Sequence, residues 1–342
     1  MQRIYFQTPP SNTENVAKCY NTLDNGTPTP IGSVKTGDDG IGGPSGGIRT
    51  CVKDLLKLYS VFLASATDQF ANGRTSTEGS PLKQVNHLML AKIPMNQPTL
   101  RETSYGFGWA LVQLPGTMGD IGCNPPLMQH GMPVLGKGGP SRLVIYHQGS
   151  LPGALAAVNL IPDTETAIVV LTNSLFLNDI PDWVGQLVLE ELLEVPERNV
   201  YVKAAEASVA EAAKWYPATV GELQRARIND TSPRSLEDYA GTYWDEIHVF
   251  KIEVILEEGT LYWAFPGLES EKFQLDHYEH DVFTWIQTRN GLARRGRCVD
   301  QGAPFRQADF KVNDKGQIEK LMWVHDIGVS AVEYSKTINA AL

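Results

Sequence analysis

The chain is poor in the features that would place it in a specialised class. None of its apolar runs approaches the ~18 residues of a membrane-spanning helix. The opening Met1-Gln2-Arg3-Ile4-Tyr5-Phe6 is not a signal peptide. Basic residues fall short of acidic ones, 29 Lys and Arg against 39 Asp and Glu. The net charge of -10 argues against nucleic acid or an anionic membrane surface as the main partner. Only four cysteines occur, Cys19, Cys51, Cys123 and Cys298. They are widely spaced, with no C-x-x-C and no neighbouring histidine, so they read as isolated thiols and no metal or other cofactor is expected. The sequons at Asn25 and Asn229 would be acceptors only in a secreted protein, which leaves the compartment open. No internal repeat is visible.

What remains is ordinary globular chain, 42% hydrophobic and 20% charged, with length for about two domains at ~150 residues each. Residues 1 to 47 are punctuated by proline and glycine and predict loop. From Ile48, apolar residues at 51, 52, 55, 56, 59, 62 and 63 keep helical spacing, with Thr50 as N-cap. A second helix is predicted from Ser80-Pro81 to about Lys92. Tyr105 to Val112 reads as one strand, with glycines where it bends or another backbone comes close. Arg142 to Tyr146 predicts a strand that ends near His147, and the runs Ala154 to Ile161 and Thr166 to Ser174, turned by Pro162-Asp163-Thr164, complete a three-stranded antiparallel unit. His147 to Gly149 would face out from its rim.

A further helix is predicted after Asn178 or Asp179 as cap. Its buried stripe would be Ile180, Trp183, Val184, Leu187, Val188 and Leu192, with Glu190, Glu191 and Glu194 outside. An alanine-rich helix from Val200 to Tyr216 leads through Thr231-Ser232-Pro233 into different chain. From Leu236 about eight short strands alternate in period two and predict a small antiparallel barrel or sandwich. Its aromatics, Trp244, Trp263, Phe265, Phe283, Trp285 and Trp323, read as core, although such a barrel has room in principle for a small apolar molecule.

Three short patterns imitate hydrolase motifs. Gly43-Pro44-Ser45-Gly46-Gly47 satisfies G-x-S-x-G, but no buried strand runs into it, so it reads as a glycine turn. Ser80-Pro81-Leu82-Lys83 satisfies S-x-x-K, yet its serine reads as a solvent-facing cap. Lys35-Thr36-Gly37 satisfies K-T-G but precedes that pair, the reverse of the order in penicillin-recognising enzymes.

Taken together, three segments carry more weight: Gly46-Gly47-Ile48-Arg49-Thr50 before Asp54-Leu55, then Tyr105-Gly106-Phe107-Gly108-Trp109, then His147-Gln148-Gly149-Ser150-Leu151-Pro152-Gly153 before a strand pair and a helix. In order and spacing the series resembles the β-lactamase-related serine hydrolases, which include class C β-lactamases, DD-peptidases and related esterases. The resemblance covers about residues 1–195, and the tail looks like the lipocalin-like C-terminal domain of many members, especially fungal ones. It implies an α+β fold: a partial β-lactamase or transpeptidase-like domain at 1–195, an antiparallel sheet with flanking helices, then a helical linker at 196–234 and a small antiparallel β-barrel at 235–342.

The resemblance also implies roles. His147 matches the first position of the family's K-T-G or H-x-G strand, which binds a substrate carboxylate or supports proton transfer, and the Ser150 amide matches half of an oxyanion hole. Gln148 and Gly149 would line that wall, with Tyr105 as a further substrate-binding residue. The substrate would be a small-molecule ester, amide or lactam. The family's nucleophile segment normally lies N-terminal of the region matched here, and no Tyr-x-Asn or Ser-x-Asn occurs. The expectation is therefore hydrolase ancestry with activity in question. The alternatives are a non-catalytic binding protein or a scaffold reused for acid-base chemistry through His147. Without the missing segment, the sheet around Ala167 to Leu171 would leave apolar surface and an unpaired edge, open to self-association or to the missing half.

Overall fold

The structure, a computed structural model, describes residues 1–6, 8–34, 42–96, 100–297, 301–326 and 328–337. Lys35-Thr36-Gly37 and Cys298 lie outside the described residues. The chain divides into two compact units, Met1–Ala213 with Asn290–Cys298, and Lys214–Arg289 with Val299–Leu342.

The first unit opens with an antiparallel pair, β1 (Cys19–Thr22) and β2 (Pro28–Ile31). Ser45 of the G-x-S-x-G pattern sits in a single helical turn, α1 (Gly43–Gly46), where its hydroxyl donates to the Gly42 carbonyl. The long helix α2 (Val52–Asn72) starts later and ends later than the periodicity suggested. Cys51, not Thr50, is its N-cap residue, and Gly73 in left-handed backbone closes it. Ala66 and Gln69 carry its buried stripe onward.

The helix predicted from Ser80 is reduced to α3 (Val85–Met89). Lys83 bridges to Ser76 and Gln84 is left-handed (φ 56°), so helical backbone begins only after them. Ser80 Oγ lies 2.8 Å from Ser65 Oγ. Ser80 and Lys83 therefore do not share a helical turn, and the S-x-x-K pattern has no nucleophile geometry.

β3 (Ile93–Pro94), β4 (Thr103–Tyr105) and β5 (Ala110–Leu114) follow. The single strand predicted over Tyr105 to Val112 is thus a hairpin, turned at Gly106 to Gly108. Gly108 adopts φ 76°, and a Cβ on Gly106 would lie 2.8 Å from the backbone oxygens of both Leu88 and Leu90. A two-strand ribbon, β6 (Gly116–Thr117) and β7 (Val134–Leu135), occupies the glycine-rich loop.

β8 (Arg142–Leu151), β9 (Ala154–Ile161) and β10 (Thr166–Thr172) form the antiparallel meander that the sequence predicts. They complete an antiparallel sheet of order β10-β9-β8-β5-β4-β3, while β11 (Ser174–Leu175) pairs in parallel with β1. On one face, Phe62, Leu63 and Ala66 of α2 pack against Leu111, Ile145, Val158 and Leu160. On the other, Leu189 of α4 (Ile180–Leu192) packs with Val112, Val144, Tyr146 and Ile168. Both faces are covered, and among the described residues β10 is an edge strand.

The predicted stripe of α4 is corrected. Asp179 caps it as expected, accepting from the Asp182 amide at 3.2 Å. The buried face, however, carries Asp182, Gln186 and Glu190, while Val184, Leu187 and Leu192 are exposed. Buried polar groups need partners, and the two carboxylates have them: Gln148 and Asn124 on Asp182, and Asn199 on Glu190. The predicted alanine-rich helix breaks into α5 (Tyr201–Ala212), which belongs to the first unit, and α6 (Trp215–Ala226), which belongs to the second, so residues 196–234 are divided between the units.

The second unit is a closed antiparallel barrel of β12 (Gly241–Trp244), β13 (Lys251–Glu257), β14 (Thr260–Ala264), β15 (Lys272–Glu279), β16 (Val282–Thr284), β17 (Gln307–Val312), β18 (Ile318–Trp323) and β19 (Val332–Lys336). Strand β12 closes onto β19, so the barrel has no free edge. Trp263, Phe283, Trp285 and Trp323 are buried as predicted. Trp244 is only half-buried and packs its ring on His248. α7 (Arg289–Arg294) follows β16, and from Asn290 this segment counts with the first unit, where Asn21 Nδ2 donates to the Ala293 carbonyl.

Candidate active site

The site is set by a mismatch of strand lengths. Pairing between β5 and β8 ends at Ala110 with Tyr146, whereas pairing between β8 and β9 continues from Ile145 to Leu151. From His147 onward β8 pairs, among the described residues, with β9 alone, and its other edge carries no strand partner. Tyr105, the last residue of β4, reaches this edge.

His147 and Tyr105 are both half-buried. The phenol oxygen lies 3.0 Å from His147 Nε2, and the rings are tilted with centroids 6.0 Å apart. The other ring nitrogen, Nδ1, lies 2.5 Å from the carbonyl oxygen of Gln148. Gly149 and Ser150 are exposed. A Cβ on Gly149 would meet nothing closer than Ala156 Cβ at 3.9 Å, so packing within the chain does not demand glycine there. At Gly153 it does: φ is 83°, and a Cβ would stand 2.5 Å from that of Cys19. Asn21 Oδ1 accepts from the Gly153 amide at 3.0 Å, so β1 fixes the hairpin that carries the rim.

Gln148, expected along the wall, turns its side chain to the opposite face. There it is buried and donates to Asp182 Oδ1 at 2.8 Å. Gln186 donates to the same oxygen at 3.0 Å and Asn124 to Oδ2 at 2.9 Å. Asn124 also ties down the start of α4, donating to the Asp179 carbonyl and accepting from its amide. Burial raises the Asp182 carboxyl above the ordinary range, against the three amides that favour its charge. Asp179, fully buried, is pushed up to about 7 by burial and then by the neighbouring Asp182. The Tyr146 hydroxyl is raised, first by burial and then by the charge of Asp120. A polar layer thus sits behind the open strand. Sequence reasoning missed it, although Asp182, Gln186 and Glu190 recur at the four-residue spacing of one helical face.

The β4–β5 hairpin positions Tyr105, and Gly106 seats that hairpin on the backbone around Leu88 and Leu90. Gly106→Ala forces a methyl into those carbonyls and is expected to cost about 1–3 kcal/mol, as overpacking does. The shift in urea midpoint measures the cost. Displacement of Tyr105 should appear as altered His147 ring signals in NMR spectra, which an effect confined to global stability would leave unchanged.

The sequence matches the β-lactamase family over residues 1–188 and a second family, described as a domain of unknown function (DUF3471), over residues 226–336. The chain belongs to the β-lactamase-related serine hydrolase family. None of the curated proteins matches it. Among solved structures, the octameric penicillin-binding protein homologue from Pyrococcus abyssi is 16% identical, over 98% of this chain and 57% of that one, with a TM-score of 0.38. A class C β-lactamase is 20% identical over 58% of this chain and 48% of its own, with a TM-score of 0.35. The β-lactamase from Sulfitobacter sp. EE-36 is 16% identical over 66% and 50%, with a TM-score of 0.34. The chain therefore spans roughly half of the length of the structures it matches.

Proposed function

We propose that the open edge of β8 is one wall of an acyl-transfer pocket, taking a small ester, amide or lactam. The observation that carries this reading is the strand end itself: exposed Gly149 and Ser150 next to a half-buried His147, with no strand paired on that side among the described residues. In an antiparallel strand the N–H and C=O of each residue point to one side, and alternate residues share that side. The Gln148 carbonyl meets the His147 ring, so Ser150, two residues on, offers its amide along the same edge. An amide fixed there is suited to the oxygen of a tetrahedral intermediate, and His147 to proton transfer or carboxylate binding. Gly149 leaves room for the substrate to lie close, and Gln148 supports the wall from behind through Asp182. Tyr105 borders the same edge as a substrate-binding group.

Turnover of p-nitrophenyl acetate and of nitrocefin tests the reading. His147→Ala is expected to lower it by roughly 10²-fold or more, the scale of a lost acid-base group. Activity that survives His147→Ala unchanged would reject the assignment. A binding role is the second reading, favoured by the fixed place of Ser80 against Ser65, which removes the S-x-x-K pair as a source of nucleophile. It is supported by saturable binding of a phenylboronic acid without turnover of either substrate.

A further inference from the structure

We infer that Tyr105 and His147 act as one proton-handling unit in which the phenol, not the imidazole, is the group that meets the substrate. The inference rests on the acyl-transfer reading of the β8 edge and adds to it the group that moves the proton. A carbonyl oxygen can only accept, so the contact at 2.5 Å between His147 Nδ1 and the Gln148 carbonyl places the proton of the neutral ring on Nδ1. Nε2 is then the acceptor, and its partner at 3.0 Å is the Tyr105 hydroxyl, which donates. The backbone of β8 itself thus sets the tautomer. With Nε2 occupied, His147 reaches the pocket through Tyr105.

The Ser80 and Lys83 pair has no nucleophile geometry, and among the described residues Tyr105 is the hydroxyl that bonds the His147 ring. The step this allows is hydrolysis by water. The water oxygen bonds to the acyl carbon as the carbonyl π electrons move to oxygen, which the Ser150 amide receives. The proton of the water passes to Tyr105 Oη while the proton of Tyr105 passes to Nε2. When the intermediate collapses, the bond from carbon to the leaving oxygen or nitrogen breaks. The imidazolium then returns its proton through Tyr105 to that leaving atom. An ester and water thus become an acid and an alcohol, with both residues restored.

Two measurements on the full chain test the inference, with His147→Gln used to assign the His147 signals. In long-range ¹H–¹⁵N spectra the neutral His147 ring should carry its proton on Nδ1, and Tyr105→Phe should move the Nε2 signal toward that of an unbonded ring nitrogen. A proton on Nε2, or an Nε2 signal indifferent to Tyr105→Phe, would overturn it. In p-nitrophenyl acetate hydrolysis, Tyr105→Phe should lower kcat about 10-fold or more with KM nearly unchanged. A Tyr105→Phe protein as fast as the wild type beside a slow His147→Gln would also overturn it, while leaving the acyl-transfer wall standing. Wild-type protein inert toward the ester would fail the hydrolase reading instead, and the tautomer would still decide whether the pair exists as described.

Discussion

Asp179→Asn is expected to stabilise the first unit by about 2–4 kcal/mol above neutral pH and to flatten the dependence of its stability on pH. Asp179 is fully buried, and its carboxyl is raised from an ordinary 3.8 to about 7 by burial and by Asp182. The backbone amides of Asp182 and Cys123 favour its charge, but burial and the neighbouring carboxylate outweigh them. The sign follows from where the proton sits. Below pH ~4 both folded and unfolded chains hold it. Between pH ~4 and ~7 the unfolded chain releases it while the folded chain retains it, so stability falls as pH rises, and above pH ~7 the loss is complete. Asparagine keeps a side-chain oxygen for the Asp182 amide, so the N-cap of α4 survives while the buried charge does not. Urea unfolding at pH 5 and pH 8 gives the comparison; titrating groups distant from Asp179 cancel in the difference between variant and wild type, and relief of the coupled Asp182 acts in the same direction. A variant whose stability changes between those pH values as much as the wild type's would sink the assignment of the loss to Asp179.

The same polar layer marks the limit of what could be read from the chain. The barrel strands were legible by their alternation, and β8, β9 and β10 by continuous apolar runs, because both faces of their sheet are packed under helices. The helix α4 was legible as a helix, with its cap and its proline, but not in its orientation. Its amphipathic pattern points Val184, Leu187 and Leu192 outward because Asp182 is claimed by Gln148 and Asn124, residues 34 and 58 positions away. No local period encodes such a partnership. Likewise the turn at Gly106 depends on the carbonyls of Leu88 and Leu90, which a reading of Tyr105 to Val112 alone counts as part of one strand.

At the candidate site, His147 at a strand end was legible from the apolar run before it and the glycine after it. The approach of Tyr105 was not, because it depends on β5 stopping at Ala110 while β8 runs on. That mismatch in length does two things at once. It leaves the Gly149-Ser150 backbone open, and it lets the end of β4 reach across to the imidazole. In the register that pairs Ala110 with Tyr146, a β5 that began four residues earlier, at Gly106, would reach Ser150 and close both, which is why the Gly106 to Gly108 turn matters more to the site than its own side chains do.

Trp263→Ala is expected to cost the barrel about 3–5 kcal/mol, the range for truncating a large buried aromatic. Trp263 is completely buried, with the rings of Phe265, Trp285 and Trp323 centred 4.8, 5.1 and 5.3 Å away. Its Nε1 has no hydrogen-bond partner among the described residues, so Trp263→Phe removes ring atoms without breaking a bond seen there and should cost about 1–2 kcal/mol. Hydrogen exchange of peptides spanning β13 to β19, measured on the full chain, reports the barrel without requiring it to fold alone. In Trp263→Ala the most protected amides should exchange about a hundredfold faster or more, since each 1.4 kcal/mol is a factor of ten. Indole, by filling the void, should restore part of the protection, as apolar ligands do in dry cavities. The contrast separates two kinds of barrel. One whose interior is filled by its own aromatic rings loses stability when a ring is removed, and serves as a scaffold. One that already encloses a compartment for an apolar ligand would tolerate Trp263→Ala at under about 1 kcal/mol, and that result would reject the packed interior argued from these ring contacts.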